Sequence, residues 1–201
     1  MIEETISPTT VLLLQARAGD TEALGRLLEK YRNYLLFLAK MQLDSRLLGK
    51  LDAADIVQET FMEAARSFSQ FRGEEDGQFT AWLRQILVSK LAAAARHYLG
   101  TRRRDVRLEQ HLHTRVDQSS LFLDHLLCTL STPSLKVRRE ETRQQLLEAL
   151  AQLPEHYREV LQLRHLENLT FPQIAQRMGR TEDSVQKIWV RALGQIRGMM
   201  E

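Results

Sequence analysis

Thr170-Phe171-Pro172-Gln173-Ile174-Ala175-Gln176-Arg177-Met178-Gly179-Arg180-Thr181-Glu182-Asp183-Ser184-Val185 reads as a short helix, a glycine turn and the start of a longer helix. Thr170 and Gln173 fit the Ser/Thr-x-x-Glu/Gln capping box, and Pro172 falls in the first turn, where a missing N–H costs nothing. Gly179-Arg180 gives a tight turn, and Thr181 is placed to cap the longer helix. From there Val185, Ile188, Trp189, Ala192, Leu193 and Ile196 recur at helical spacing as an inner face. Short helix, glycine turn, longer helix is the helix-turn-helix grammar. Ile174, Ala175 and Val185 supply the small and branched side chains that a close crossing needs.

Working upstream, Leu146, Leu147, Leu150 and Leu153 mark one helix, stopped by Pro154, which cannot continue a helix interior. Val160, Leu161 and Leu166 mark the next. At the other end of the chain an amphipathic helix is predicted from Ala23 to about Leu43, with Leu24, Leu27, Leu28, Tyr31, Leu35 and Leu38 on one face. A second starts near Asp52, a capping residue, and turns Ile56, Val57, Phe61, Ala64, Ala65 and Phe68 inward until Phe71-Arg72-Gly73. A third carries Phe79, Trp82, Leu83, Ile86, Leu87, Leu91 and Ala94, and one more is expected around Val11 to Ala18. The expected fold is therefore all-α: two small helical domains, 1–100 and 138–201, joined by a linker over 101–137. Within that linker the run Leu121-Phe122-Leu123-Asp124-His125-Leu126-Leu127 is too apolar for a free tether, so a short docking helix is expected there, folded between the two domains.

Composition narrows the function. Hydrophobic residues make up 43% and charged residues 27% of the 201 positions, a globular rather than disordered balance. The 28 Lys and Arg against 26 Asp and Glu leave +2, so any nucleic-acid role must come from local patches. A single Cys128 excludes an internal disulfide or a multi-cysteine zinc site, which suits the cytoplasm. The start Met1-Ile2-Glu3-Glu4 is acidic where a secretory signal needs positive charge, and no stretch approaches the roughly 20 apolar residues of a membrane span. Membrane insertion is not expected. Neither a phosphate-cradling glycine loop nor a His-Glu-x-x-His or cysteine-based site occurs. His111 and His113 stand without further ligands beside them. No enzyme, cofactor or metal centre is expected.

Three features carry possible chemistry. Entering a major groove, the terminal helix offers Glu182, Asp183, Ser184, Gln186 and Lys187 to base edges, with Arg180 and Arg191 placed for phosphates and Thr181 at the helix start. Glu182 and Asp183 are repelled by DNA unless one accepts a bond from a cytosine amino group; the alternative is that both only complement the helix dipole. The second feature is the basic cluster Arg96, His97, Arg102, Arg103, Arg104 and Arg107, whose alternative is a solvated helix C-terminus. The third is the polar face Asp55, Gln58, Glu59 and Met62, whose alternative is ordinary solvated surface.

Asp55-Ile56-Val57-Gln58-Glu59-Thr60-Phe61, then Phe79-Thr80-Ala81-Trp82-Leu83-Arg84-Gln85-Ile86-Leu87, and Leu153-Pro154 through the Thr181-Glu182-Asp183-Ser184-Val185 helix together resemble the sigma-70 family of bacterial transcription initiation factors. The two-domain, short-linker layout is similar to its extracytoplasmic-function subgroup. The resemblance implies core RNA polymerase as partner, at its β′ clamp helices and β flap, together with promoter DNA; it leaves open whether a separate anti-sigma factor holds the protein inactive. It implies that Asp55, Val57, Gln58, Glu59 and Phe61 match the string placed at the clamp helices, with Phe61 in the core. It further implies that the Trp82 helix and the turn after Ile86 open the -10 element, where Ser89 and Ala93 stand in place of the Asn and Asp often found. Lys90, Arg96, His97 and Arg102 to Arg104 would face that DNA, and the C-terminal helix-turn-helix would read the -35 element.

A one-component regulator, with an N-terminal sensing or dimerising domain, and a helical adaptor without DNA contact both share the all-helical pattern. A regulator needs a ligand pocket or a dimer face; an adaptor shows no steep salt dependence toward DNA.

Overall fold

The computed structural model describes residues 8–43, 51–99, 106–130, 139–165 and 167–200. Among the described residues there are ten α-helices, one 3-10 turn and no strand. The chain divides into two compact units, residues 1–113 and 114–201.

The first unit starts with α1 (Pro8–Arg17), which packs on α2 (Thr21–Lys30). Asp20 starts α2 by accepting from the N–H groups of Glu22 and Ala23 at 2.9 and 3.0 Å. The single helix expected from Ala23 to Leu43 is two, because α2 stops at Lys30 and α3 (Arg32–Gln42) begins after Tyr31. Tyr31 is the hinge: its ring is buried edge-on against Phe79 at 5.4 Å and its hydroxyl donates to Asp76. The break is a tertiary demand, invisible to a periodicity that runs through it.

Asp52 caps α4 (Ala53–Ser67) through the Ala54 N–H at 2.8 Å, as expected. A 3-10 turn, Phe68–Gln70, comes next, and α5 runs without interruption from Asp76 to Leu99. The turn anticipated after Ile86 is absent: Leu87, Val88, Leu91 and Ala92 stay buried in helical register, and no proline or glycine interrupts them. Leu27, Leu35, Leu38, Val57, Leu83 and Leu87 are fully buried in the centre of this unit. Beside them Phe68, Phe71, Phe79 and Trp82 form an aromatic cluster, the Phe71 and Trp82 rings 5.0 Å apart. Gly73 closes that cluster: a Cβ there would collide with the Phe71 ring and lie 2.8 Å from Gln78 Cβ.

Where a linker with a short helix was expected, the described part of 101–137 is a 25-residue helix, α6 (Val106–Leu130). The mixed polar stretch around Asp117 to Ser120 misled the periodicity: Ser119 and Ser120 are buried, and Ser119 returns its hydroxyl to the Arg115 carbonyl at 2.8 Å, so a helix tolerates them. The unit boundary falls inside this helix, after His113.

The second unit holds α7 (Arg139–Gln152), α8 (Glu155–His165), α9 (Phe171–Met178) and α10 (Glu182–Met200). α10 packs on α7, α8 and α9. Leu166, anticipated with α8, lies outside the described residues. Asn168 takes the left-handed conformation at φ 52°, which asparagine tolerates better than most residues, and Leu169 then donates back to Leu163. The Thr170 N–H donates to Gln173 Oε1 at 2.8 Å, the glutamine half of the capping box. Gly179 ends α9 in the left-handed region, at φ 63° and ψ 35°, where its N–H returns to Ala175 and Gln176. Thr181 Oγ1 accepts from the Ser184 N–H at 3.3 Å and opens α10. Val160, Leu163, Ile174, Ala175, Val185 and Ile188 form the core of this crossing.

The apolar run finds its partner within the second unit. Phe122 stacks on the His165 ring of α8 at 4.5 Å, and Trp189 Nε1 of α10 donates to His165 Nε2 at 3.2 Å. Leu126 and His125 line a small apolar groove with His165, Trp189, Leu193 and Arg197. Leu123 and Leu127 are buried and Leu121 is exposed.

Candidate functional site

α10 separates its residues as a reading helix requires. Val185, Ile188, Ala192 and Ile196 are buried against α7, α8 and α9, while Glu182, Asp183, Gln186, Lys187 and Arg191 stand exposed and Ser184 is half-buried. The alternation follows from 3.6 residues per turn, which returns every third or fourth side chain to the same face. On the outer face Gln186 Nε2 donates to Glu182 Oε1 at 3.0 Å, and Lys187 Nζ meets Asp183 Oδ2 at 2.7 Å. Arg180 and Arg191 are exposed, with no ion pair among the described residues. They frame a surface groove with Asp183, Ser184 and Lys187, whose far wall is His156 and Tyr157 at the start of α8. Those two rings lie 4.3 Å apart. They escaped sequence inspection because they sit one helix away from the motif, and nothing in their local pattern marks them.

The outer face of α4 is of another kind. Asp55, Gln58 and Glu59 are exposed and Met62 is 47% exposed. None of the three polar side chains has a hydrogen bond or ion pair among the described residues. Val57 is fully buried and Phe61 nearly so, with the Arg32 guanidinium 5.2 Å over the Phe61 ring. Val57 therefore faces its own core, and the face open to a partner is Asp55, Gln58, Glu59 and Met62. The division follows the helical spacing read from the sequence: positions 57 and 61 are four apart and share the inward stripe with Ala53 and Ala64.

Along α5, Ser89 and His97 are exposed, while Lys90 pairs with Glu63 of α4 at 2.9 Å and holds that carboxyl below its usual range. Ser89 stands on a continuous helix and not in a loop. Arg96 is half-buried, with its Nη1 enclosed and without a hydrogen-bond partner. Arg102, Arg103 and Arg104 lie outside the described residues. No group of acidic, histidine or cysteine side chains suited to a metal occurs among the described residues, and no helix there is long and apolar enough to cross a membrane.

Two family models match this chain: "Sigma-70 region 2" over residues 27–104 and "Sigma-70, region 4" over residues 143–196. The ECF RNA polymerase sigma-E factor of Escherichia coli strain K12 is 30% identical over 165 residues, covering 82% of this chain and 80% of that protein. The sigma-E factor of Haemophilus influenzae is 29% identical over 167 residues, 83% of this chain and 82% of its own length. The chain belongs to the extracytoplasmic-function (ECF) sigma-70 family. It is a transcription initiation factor, a class of protein that directs a polymerase and is not itself the catalyst. Among solved structures, one of CnrH in complex with the cytosolic domain of CnrY covers 95% of this chain and 96% of that one, at 22% identity and a TM-score of 0.36.

Within this ECF factor the region 4 match takes in most of α7, all of α8 and α9 and most of α10, and the region 2 match takes in the end of α2 and all of α3, α4 and α5. α6 falls between the two matches. Family membership replaces the regulator and adaptor alternatives.

Proposed function

We propose that this ECF sigma factor binds core RNA polymerase and selects promoters by a division of labour between residues 1–100 and residues 138–201. Asp55, Gln58 and Glu59 of α4 contact the polymerase clamp helices, with Val57 and Phe61 holding the helix that presents them. The α5 surface, with Ser89, Lys90, Arg96 and His97 and the adjoining Arg102 to Arg104, faces the -10 element. Arg180, Thr181, Glu182, Asp183, Ser184, Gln186, Lys187 and Arg191 serve the -35 element, and the β flap is a second polymerase contact. A separate anti-sigma protein as regulator, and a cytoplasmic location, belong to the same proposal.

The observation that carries it is the two-sidedness of α10. Its apolar stripe is consumed by its own unit, yet its outer turns keep a row of hydrogen-bonding side chains flanked by the unpaired Arg180 and Arg191. That is what a helix in a major groove presents: base-edge donors and acceptors in the middle, phosphate contacts at the side. Two modest DNA sites on one chain gain from effective concentration, and a near-neutral chain avoids coating the genome on its own.

The experiment is run-off transcription with purified core polymerase on a genomic fragment library. Initiation from a subset of fragments sharing two spaced elements is expected. A transcript profile identical to that of core polymerase alone would refute the proposal.

A further inference from the structure

We infer that Glu182 is a specificity-determining residue that selects cytosine in the upstream promoter element; the inference rests on α10 being the DNA-reading helix. Four polar side chains crowd the first two turns of that face, and they pair in two ways. Asp183 and Lys187 meet as carboxylate and ammonium at 2.7 Å, so their charges cancel. Glu182 meets only the neutral amide of Gln186, at 3.0 Å. No cation pairs with Glu182 among the described residues, which leaves it the uncompensated anion of the face.

An anion there is unfavourable beside phosphates unless it gains a bond that only the bound state provides. Capping does not call on it: Thr181 Oγ1 already accepts from the Ser184 N–H at the helix start. The Gln186 amide instead steers the carboxylate along the outer face. One hydrogen bond occupies Oε1 and leaves Oε2 to accept another. The hydrogen-bond code of the major groove then identifies the base. Guanine presents two acceptors, thymine an acceptor and a methyl group, and adenine an acceptor beside its amino group; cytosine alone presents, on its own edge, a donor and no acceptor. A carboxylate, which only accepts, is complementary to cytosine and repelled by the other edges to differing degrees.

The test selects promoters from a library randomised across the upstream element, using the full chain and core polymerase, with wild type and Glu182→Gln compared. Glutamine keeps the side-chain length and a hydrogen bond to Gln186, so an unchanged melting curve is expected. The wild type should favour cytosine at one upstream position by about tenfold over the other bases, and Glu182→Gln should flatten that position while leaving the rest of the element intact. Identical base preferences in both proteins would overturn the inference and leave Glu182 a complement to the helix dipole. Failure of the wild type to enrich any upstream element would overturn the DNA-reading role of α10 itself, and this inference with it.

Discussion

The outer faces of α4 and α10 are alike in composition and opposite in wiring. Both are exposed, both mix carboxylates with glutamine, and both lie on helices whose other side is buried. On α10 the polar groups bond to one another, Glu182 to the neutral Gln186 amide and Asp183 to Lys187, and the charges left without an ion pair are Glu182 and the flanking arginines at 180 and 191. On α4 the acids Asp55 and Glu59 have no partner among the described residues, and Met62 stands open beside them. A face held as anions around a flexible thioether suits a cationic protein surface, since a methionine side chain adapts to irregular contacts. A face of paired groups flanked by guanidinium suits a polyanion, for which the arginines supply attraction and the pairs supply a fixed pattern.

Reversing charge on α4 attacks that contrast at its strongest point. Glu59→Lys is expected to weaken binding to core polymerase roughly tenfold or more, because like charges then face each other across the interface. The melting temperature should stay close to wild type, since an exposed position away from special features changes stability within about 0.5 kcal/mol. Binding unchanged by the substitution would mean that the α4 face meets solvent only.

Arg191→Ala sharpens the other half. Losing one phosphate contact should weaken promoter binding evenly across sequences, by a few-fold, and lower the slope of log affinity against log salt by about 0.9. A titration over a salt series reads both quantities. A change confined to one base position would place Arg191 among the reading groups, and no change in slope would place it off the DNA.

The smallest effect separates the units by pH. Burial, with Arg164 and His125 nearby, lowers the His165 pKa from 6.5 to about 4. The unfolded chain therefore takes up a proton at higher pH than the folded one, so stability is full above about pH 6.5 and declines as pH falls toward 4. Thermal melting followed by Trp189 environment should show this decline. His165→Gln, which keeps an acceptor for the Trp189 indole but does not titrate, should show a shallower one. Parallel curves for the two proteins would remove His165 from the pH dependence of the second unit.

The legible parts of this protein were those set by neighbours in the chain. The helix-turn-helix was readable because its boundaries rest on local groups: the Gln173 side chain on the Thr170 N–H, the left-handed Gly179 and the Thr181 oxygen on Ser184. The Asp52 cap was readable for the same reason. The Asp55 to Phe61 string pointed to its family, and helical spacing already divided it into Asp55, Gln58 and Glu59 outside and Val57 inside; what needed the neighbouring helices was that Ala65, expected inward, is exposed.

Contacts between distant residues decided the rest. Periodicity carried one helix straight through Tyr31, because the break is imposed by Phe79 and Asp76, 45 or more positions away. The polar stretch before Leu121 looked like linker, because the packing that buries Ser119, Ser120 and Phe122 is not written beside them. The sequence by itself determined an all-helical chain, its caps and turns, and the family of its two domains, since those depend on hydrogen bonds and apolar spacing within a few residues. Only the tertiary structure decided where α2 ends, that α6 is one helix whose Phe122 rests on His165, and which acid on α10 remains uncompensated. Burial and charge pairing depend on what surrounds a side chain in space, and a chain read in order does not contain those surroundings.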